Sequence, residues 1–125
     1  MYNIKFNPNI SNDSQINEHL KQVCHRILQA FAVEEIIICG SFGRASDRDK
    51  FNPEWSDIDI LVIGESTDRF VTRIRQLREL CSDGFLHINP IFYTRNELTA
   101  MIESGEGAIE DMLEEGVVIY KKVKC

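Results

Sequence analysis

Residues 36–64 constrain the fold more than any other stretch, because they contain two apolar strands with polar residues at their ends. Residues 36–39 form a short β-branched run that predicts a buried strand. The run stops at Gly40 and Ser41, where we expect a helical turn to start. The free backbone N–H groups of such a turn, the Ser41 hydroxyl and the conformational freedom of Gly40 make this turn a candidate phosphate site.

The second strand, residues 57–63, starts with two aspartates and continues as an apolar run. The period of two in a strand places Asp57 and Asp59 on the same face. Two neighbouring carboxylates repel each other, and a hard divalent cation such as Mg²⁺ relieves that repulsion. A metal site opposite a phosphate site suggests phosphoryl or nucleotidyl transfer. Each motif alone is common in proteins without this function, so the prediction depends on finding both in order.

Gly40-Ser41, a variable loop and Asp57-x-Asp59 at the head of a strand resemble the signature of the DNA polymerase β-like nucleotidyltransferase superfamily. The short chain resembles the minimal, single-domain members. The resemblance implies that Asp57 and Asp59 are catalytic and bind Mg²⁺ or Mn²⁺. It also implies that Gly40 and Ser41 bind ATP or another nucleoside triphosphate. An acceptor hydroxyl would then attack the α-phosphate while pyrophosphate leaves.

The family also carries a third carboxylate on the next strand, and the matching position here holds Asn89. Asparagine offers a carbonyl oxygen but neither negative charge nor a base. His87 lies two residues earlier on the same face and is a substitute base, although we favour a core-facing structural role for it. Either His87 or an acid within residues 47–54 activates the acceptor, or the domain binds nucleotide without turning it over.

Residues 42–56 separate the two motifs and are longer than the gap usual in the family. Arg44 is a candidate contact for the triphosphate, because a guanidinium pairs well with phosphate oxygens. Trp55 either stacks on a base or fills the core under the loop, and we favour the core position.

The formal net charge of −6 argues against a nucleic-acid partner, because proteins that bind a phosphate backbone generally present a basic face. No apolar run approaches the roughly 18 residues that a membrane span needs. Residues 1–6 lack the features of a signal peptide, so we expect a cytoplasmic protein with no membrane association. At 125 residues we expect one domain, with an N-terminal extension over residues 1–13 and the nucleotidyltransferase domain over residues 14–125.

The four cysteines are spaced widely and irregularly, which argues against a zinc site and indicates reduced thiols. They are Cys24, Cys39, Cys81 and Cys125.

The rest of the chain predicts a helical scaffold around the two strands. An apolar stripe over residues 16–31 indicates a first amphipathic helix. Ser66 or Thr67 is expected to cap a second helix. Four arginines are expected on its solvated face: Arg69, Arg73, Arg75 and Arg78.

Thr94 and Glu97 form a predicted capping box, so we assign Glu97 a structural role. A third strand over residues 85–93 and a last strand over residues 117–120 complete the prediction. The expected fold class is α/β, with a mixed sheet of about four strands flanked by helices.

Three classes of function remain open at this stage. The first is a nucleotidyltransferase that moves AMP to a partner protein, because minimal members of the family resemble the antitoxin of a toxin–antitoxin pair whose partner is a helical HEPN-type toxin. The second is a small-molecule, for example antibiotic, nucleotidyltransferase. The third is a non-catalytic nucleotide-binding or protein-interaction module.

Overall fold

The computed structural model describes the backbone of residues 2–124 and the side chains of residues 4–122. Within these residues the chain forms five strands and six helices. In chain order they are β1 (Tyr2–Phe6), α1 (Ser14–Ala30), β2 (Ala32–Cys39), α2 (Gly40–Gly43), α3 (Ala45–Arg48), β3 (Asp57–Glu65), α4 (Phe70–Leu80), β4 (His87–Thr94), α5 (Arg95–Glu103), α6 (Gly107–Glu115) and β5 (Val117–Lys124).

The five strands form one mixed sheet in the order β1-β5-β2-β3-β4. Neighbouring strands are antiparallel except for β3 and β4, which run parallel. The predicted α/β fold with a mixed sheet between helices is confirmed. The sheet has five strands where we expect about four, because β1 is not apparent in the sequence.

Strand β1 lies at one edge of the sheet and pairs with β5 along its length. Residues 1–13, which we expect as an N-terminal extension, therefore contribute a strand to the sheet. The domain boundary between residues 13 and 14 stays a prediction.

Helices cover both faces of the sheet, which explains why β3 is apolar on both of its faces. Ile60 and Val62 of β3 pack in a core with residues of α1 and α4. Leu61 and Ile63 face the other way and pack in a second core with α5 and α6. No helix within residues 2–124 has the length and apolar character needed to cross a bilayer.

Helix α4 differs from the sequence prediction in its start and in one arginine. The residue that caps it is Arg69, whose side chain makes no capping hydrogen bond, so neither Ser66 nor Thr67 is the cap. Arg73 was expected in solvent but only 2% of it is exposed. Its guanidinium lies over the rings of Phe70 and Phe92, at 5.6 and 5.4 Å from their centroids. An amphipathic pattern alone cannot reveal such a site, because Phe92 comes from another element, β4.

Arg73 also forms two parallel hydrogen bonds with the carboxylate of Glu97, at 2.6 and 2.7 Å. Glu97 completes the capping box with Thr94 at the start of α5, as predicted. This carboxylate therefore joins α4 to the start of α5, and its predicted structural role agrees with these contacts.

Strand directions bring the polar ends of three strands together. Strand β2 ends where β3 and β4 begin, because β2 is antiparallel to β3 and β3 is parallel to β4. The registers place Cys39 opposite Asp59 and Asp59 opposite Asn89. Pro90 follows Asn89 in β4, which is the edge strand and has β3 as its neighbour.

Candidate active site

Gly40 is the point where β2 turns into α2, so the predicted helical start is confirmed there. Its φ of 66° lies in the left-handed region that favours glycine. A Cβ atom at this position would lie 2.3 Å from Oδ2 of Asp59, which is too close for any side chain. Gly40 therefore allows the Asp59 carboxylate to approach the backbone of the turn. Ser41, the next residue, is exposed.

Asp57 and Asp59 begin β3 and lie on the same face of the sheet as the α5–α6 core. Asp57 is exposed and Asp59 is half-buried. Burial, and to a smaller extent the charge of Asp59, raises the pKa of the Cys39 thiol to about 11. Cys39 therefore stays protonated at neutral pH, which makes it a poor metal ligand.

Asn89 is the residue that the family resemblance predicts at the third-carboxylate position. Asn89 lies directly beside Asp59 and donates a hydrogen bond from Nδ2 to Oδ1 of Asp59, at 3.1 Å. His87 lies beside Asp57 in the same register. The expectation that His87 faces the core is wrong, because β4 is an edge strand whose first residues no helix covers, and His87 is exposed.

Arg44 lies close to the turn, but two acids hold its guanidinium. Its Nε donates to Asp47 at 2.6 Å and its Nη1 donates to Glu115 at 3.2 Å. The hydrogen bond to Asp47, followed by that to Glu115, raises the pKa of Arg44 above its ordinary value. A contact between Arg44 and a triphosphate stays a prediction, and it would compete with both of these ion pairs.

The loop between α2 and β3 is anchored by Phe51 and Arg48, and Trp55 is not part of that anchor. Phe51 packs edge-on against Phe42, with 4.7 Å between ring centroids. Arg48 donates to the backbone carbonyls of Phe42 and Gly43 at 2.8 and 3.0 Å. Trp55 is 73% exposed, so the prediction that it fills the core is wrong. Phe51 does so instead, because it lies over the buried Phe42.

A cleft of about 460 Å³ opens beside the turn at Gly40 and the first residues of β3. Gly40, Asp59 and Asn89 line one end of it, and side chains of α4 line the other. Its α4 wall consists of Phe70, Ile74 and Arg78, which share one face of that helix. Arg78 lines this cleft but is not among the site residues predicted from the sequence. The one signal for it in the sequence was its spacing of four residues from Ile74, which places both residues on the same face of the helix.

The side chains at this end of the sheet suit a hard divalent cation. Asp57, Asp59 and Asn89 all carry oxygen donors, which Mg²⁺ and Mn²⁺ prefer, and the close approach of Asp59 to Gly40 fixes one carboxylate beside the turn. No group of three or more His, Cys, Asp or Glu residues that could hold a metal occurs in the described part of the chain. The third donor of this set is instead an amide. The residues therefore fit such an ion with two charged ligands.

The family model described as "Nucleotidyltransferase domain" matches residues 16–119, which is most of the chain. The matched span contains the turn at Gly40, both aspartates and Asn89. No curated protein and no solved structure matches the chain at a significant level.

Proposed function

The chain belongs to the nucleotidyltransferase domain family, and from this premise we propose that it transfers AMP from ATP to a hydroxyl group of a partner protein. The observation that supports the proposal most directly is the meeting of Gly40, Asp59 and Asn89 at one end of the sheet. A phosphate site and a cation site must adjoin for nucleotidyl transfer, and the closeness of Gly40 and Asp59 supports such an arrangement.

Asp57 and Asp59 would hold Mg²⁺ or Mn²⁺, with Asn89 as a neutral donor beside them. When bound, the cation neutralises negative charge on the phosphate oxygens during the transfer. Asn89 keeps the Asp59 carboxylate in place through its hydrogen bond at 3.1 Å. The exposed carboxylate of Asp57 adjoins the solvent side, from which the nucleotide and the acceptor arrive.

Gly40 and Ser41 would bind the phosphates of the nucleotide. The backbone of Gly40 can be approached closely because it carries no side chain, and the exposed Ser41 hydroxyl can donate to a phosphate oxygen. His87 lies beside Asp57 and is exposed, so its imidazole is free to accept the proton of an attacking hydroxyl. The protein otherwise acts by positioning the reacting groups.

A protein acceptor is favoured over a nucleic-acid end by the net charge of −6. The minimal nucleotidyltransferases that the chain resembles suggest a helical HEPN-type toxin as the partner, with this chain as the antitoxin. A cytoplasmic location follows from that role as part of the same proposal.

Transfer can be tested by incubating the protein with labelled ATP, Mg²⁺ and the protein encoded by an adjacent gene. An adenylyl mass increment on that protein, absent with Asp57→Asn/Asp59→Asn, supports the proposal. Label on RNA 3′ ends would contradict the protein acceptor. If label appears on neither, while the wild type binds ATP, transfer to that protein is refuted.

The hydrogen bond between Asn89 and Asp59 favours a second candidate, a domain that binds nucleotide without transferring it. Asn89 cannot act as a base, and its hydrogen bond occupies one oxygen of Asp59. This candidate predicts metal-dependent ATP binding with no pyrophosphate release for any acceptor, whereas an enzyme releases pyrophosphate when the correct acceptor is added.

A further inference from the structure

The cleft beside the candidate active site must compensate the negative charge of a bound nucleotide. A nucleoside triphosphate carries several negative charges, and the cleft wall already includes the carboxylate of Asp59. A bound cation compensates for only part of this charge, since Asp57 and Asp59 themselves offset the cation. A positively charged side chain is therefore needed opposite the aspartates.

Arg44, the basic residue nearest the turn, is poorly suited to this role. Its guanidinium donates to Asp47 at 2.6 Å and to Glu115 at 3.2 Å. A phosphate would compete with these two carboxylates for the guanidinium. The local charge of this cluster is negative, because two acids surround one base.

Arg78 is the cationic residue that lines the cleft together with Gly40, Asp59 and Asn89. It is exposed, and its guanidinium makes no ion pair or hydrogen bond within the described residues. The lining of the cleft also includes apolar side chains, such as Ile74 and Met112.

We propose that Arg78 binds the polyphosphate of the nucleotide in the cleft that it lines together with Gly40 and Asp59. The inference rests on the proposed function, since it assumes that a nucleoside triphosphate occupies this cleft. A guanidinium suits the role because it can donate two parallel hydrogen bonds to phosphate oxygens. Arg78 can form these bonds without losing an existing partner, in contrast to Arg44.

Arg75 provides a matched control on the same helix. It is also exposed and also makes no ion pair within the described residues. Both arginines line the outer groove of α4, but of the two only Arg78 also lines the cleft. Arg75→Gln and Arg78→Gln therefore remove the same charge from the same helix at different distances from the nucleotide. Arg78→Lys keeps the charge and loses the two-pronged geometry.

The test is calorimetric titration of each full-length variant with Mg²⁺ and a non-hydrolysable ATP analogue, at two salt concentrations. We expect Arg78→Gln to weaken binding about 10- to 100-fold, as for a lost charged hydrogen bond. Arg78→Lys should weaken binding less, and Arg75→Gln should resemble the wild type. The salt dependence of binding should fall for Arg78→Gln alone, because an ion pair is lost.

Equal affinities for Arg78→Gln and Arg75→Gln, with the wild type binding the analogue, would overturn the role of Arg78 and leave the proposed function standing. Failure of the wild type to bind the analogue would overturn both. Thermal unfolding of the three variants separates these outcomes from misfolding, and equal midpoints are expected because both arginines are exposed.

Discussion

Asn89 and Asp59 lie opposite each other in the parallel strands β4 and β3, joined by a hydrogen bond from Nδ2 of Asn89 to Oδ1 of Asp59 at 3.1 Å. The amide thus occupies the place where two carboxylates would repel each other. The amide of Asn89 attracts the Asp59 carboxylate, whereas a carboxylate at position 89 would repel it. The amide, however, adds no negative charge to the candidate metal site. The consequences for metal binding and for stability can be separated by mutation.

Asn89→Asp should lower the stability of the metal-free protein and raise its affinity for Mg²⁺. The new carboxylate loses the donor to Asp59 and adds like-charge repulsion, so we expect the metal-free protein to lose about 1–2 kcal/mol of unfolding free energy. Mg²⁺ should bind more tightly than to the wild type and raise the unfolding midpoint more. Thermal unfolding with and without Mg²⁺ measures both effects.

Asn96→Asp is the control for that variant, because it adds the same charge at an exposed position of α5. It should change neither metal affinity nor the metal-dependent midpoint. If Asn89→Asp behaves like Asn96→Asp, position 89 is not part of a metal site.

The double substitution Asp57→Asn/Asp59→Asn should abolish metal-dependent binding of an ATP analogue while the protein stays folded. Both side chains lie at the start of a strand and contribute little to the core, so we expect the free energy of unfolding to change by less than about 1 kcal/mol. Calorimetry and circular dichroism provide the two measurements. Asp111→Asn, at an exposed site of α6, serves as the control with unchanged binding. Metal-dependent binding that survives in the folded double variant would refute the assignment.

Gly40→Ala should damage the site more than its backbone conformation alone explains. Gly40 and Gly105 both have positive φ, 66° and 84°. A Cβ at Gly40 would lie 2.3 Å from Asp59 Oδ2, whereas one at Gly105 would meet no atom within 4 Å. Gly105→Ala should therefore cost about 1 kcal/mol for the backbone, and Gly40→Ala clearly more, with loss of nucleotide binding. Chemical denaturation of both variants tests this, and equal costs would show that Asp59 moves away easily.

The ion pair between Arg73 and Glu97 predicts a defined loss of stability in acid. The hydrogen bonds from Arg73 lower the pKa of Glu97 from 4.5 to about 2. Because the folded state holds the lower pKa, the pair contributes fully above pH 4.5 and loses its contribution as the pH falls toward 2.

Glu97→Gln should therefore lower the free energy of unfolding by about 2 kcal/mol at pH 7. This loss is smaller than that for breaking a fully buried ion pair, because the Glu97 side chain is 37% exposed. The difference from the wild type should shrink between pH 4.5 and pH 2. Urea denaturation across this range measures it, and a difference that stays constant with pH would rule out the ion pair as its origin.

Phe51 and Trp55 offer a direct test of which aromatic residue anchors the loop before β3. Phe51→Ala should cost about 2–3 kcal/mol, because its ring packs on Phe42 with 4.7 Å between centroids. Trp55→Ala should cost less than about 0.5 kcal/mol, since the ring is 73% exposed. Denaturation followed by circular dichroism compares the two, and a larger cost for Trp55→Ala would reverse the assignment.

Local patterns predicted the turn at Gly40 and the shared face of Asp57 and Asp59, because both depend on residues close in sequence. The register that sets Asn89 beside Asp59 was inferred from the family resemblance, since the residues alone do not fix the pairing of two strands. Interactions over long sequence distances were missed. The buried Arg73 donates hydrogen bonds to Glu97, and Arg44 donates to Glu115, which lies far along the chain.

Strand β1 escaped prediction for the same reason, because its partner β5 lies at the other end of the sequence. The position of Trp55 could not be settled from sequence either. Phe51 and Trp55 are both aromatic and both lie in the same loop, and only the three-dimensional path of the loop decides which ring reaches Phe42.

Pro90 has a consequence for self-association. A proline has no backbone N–H group, so β4 presents an incomplete row of donors along the edge of the sheet. A strand from another molecule that tried to extend the sheet there would lack a hydrogen bond next to Asn89. The interruption disfavours edge-to-edge aggregation at the strand that borders the candidate active site, so this approach to the site stays open to an acceptor.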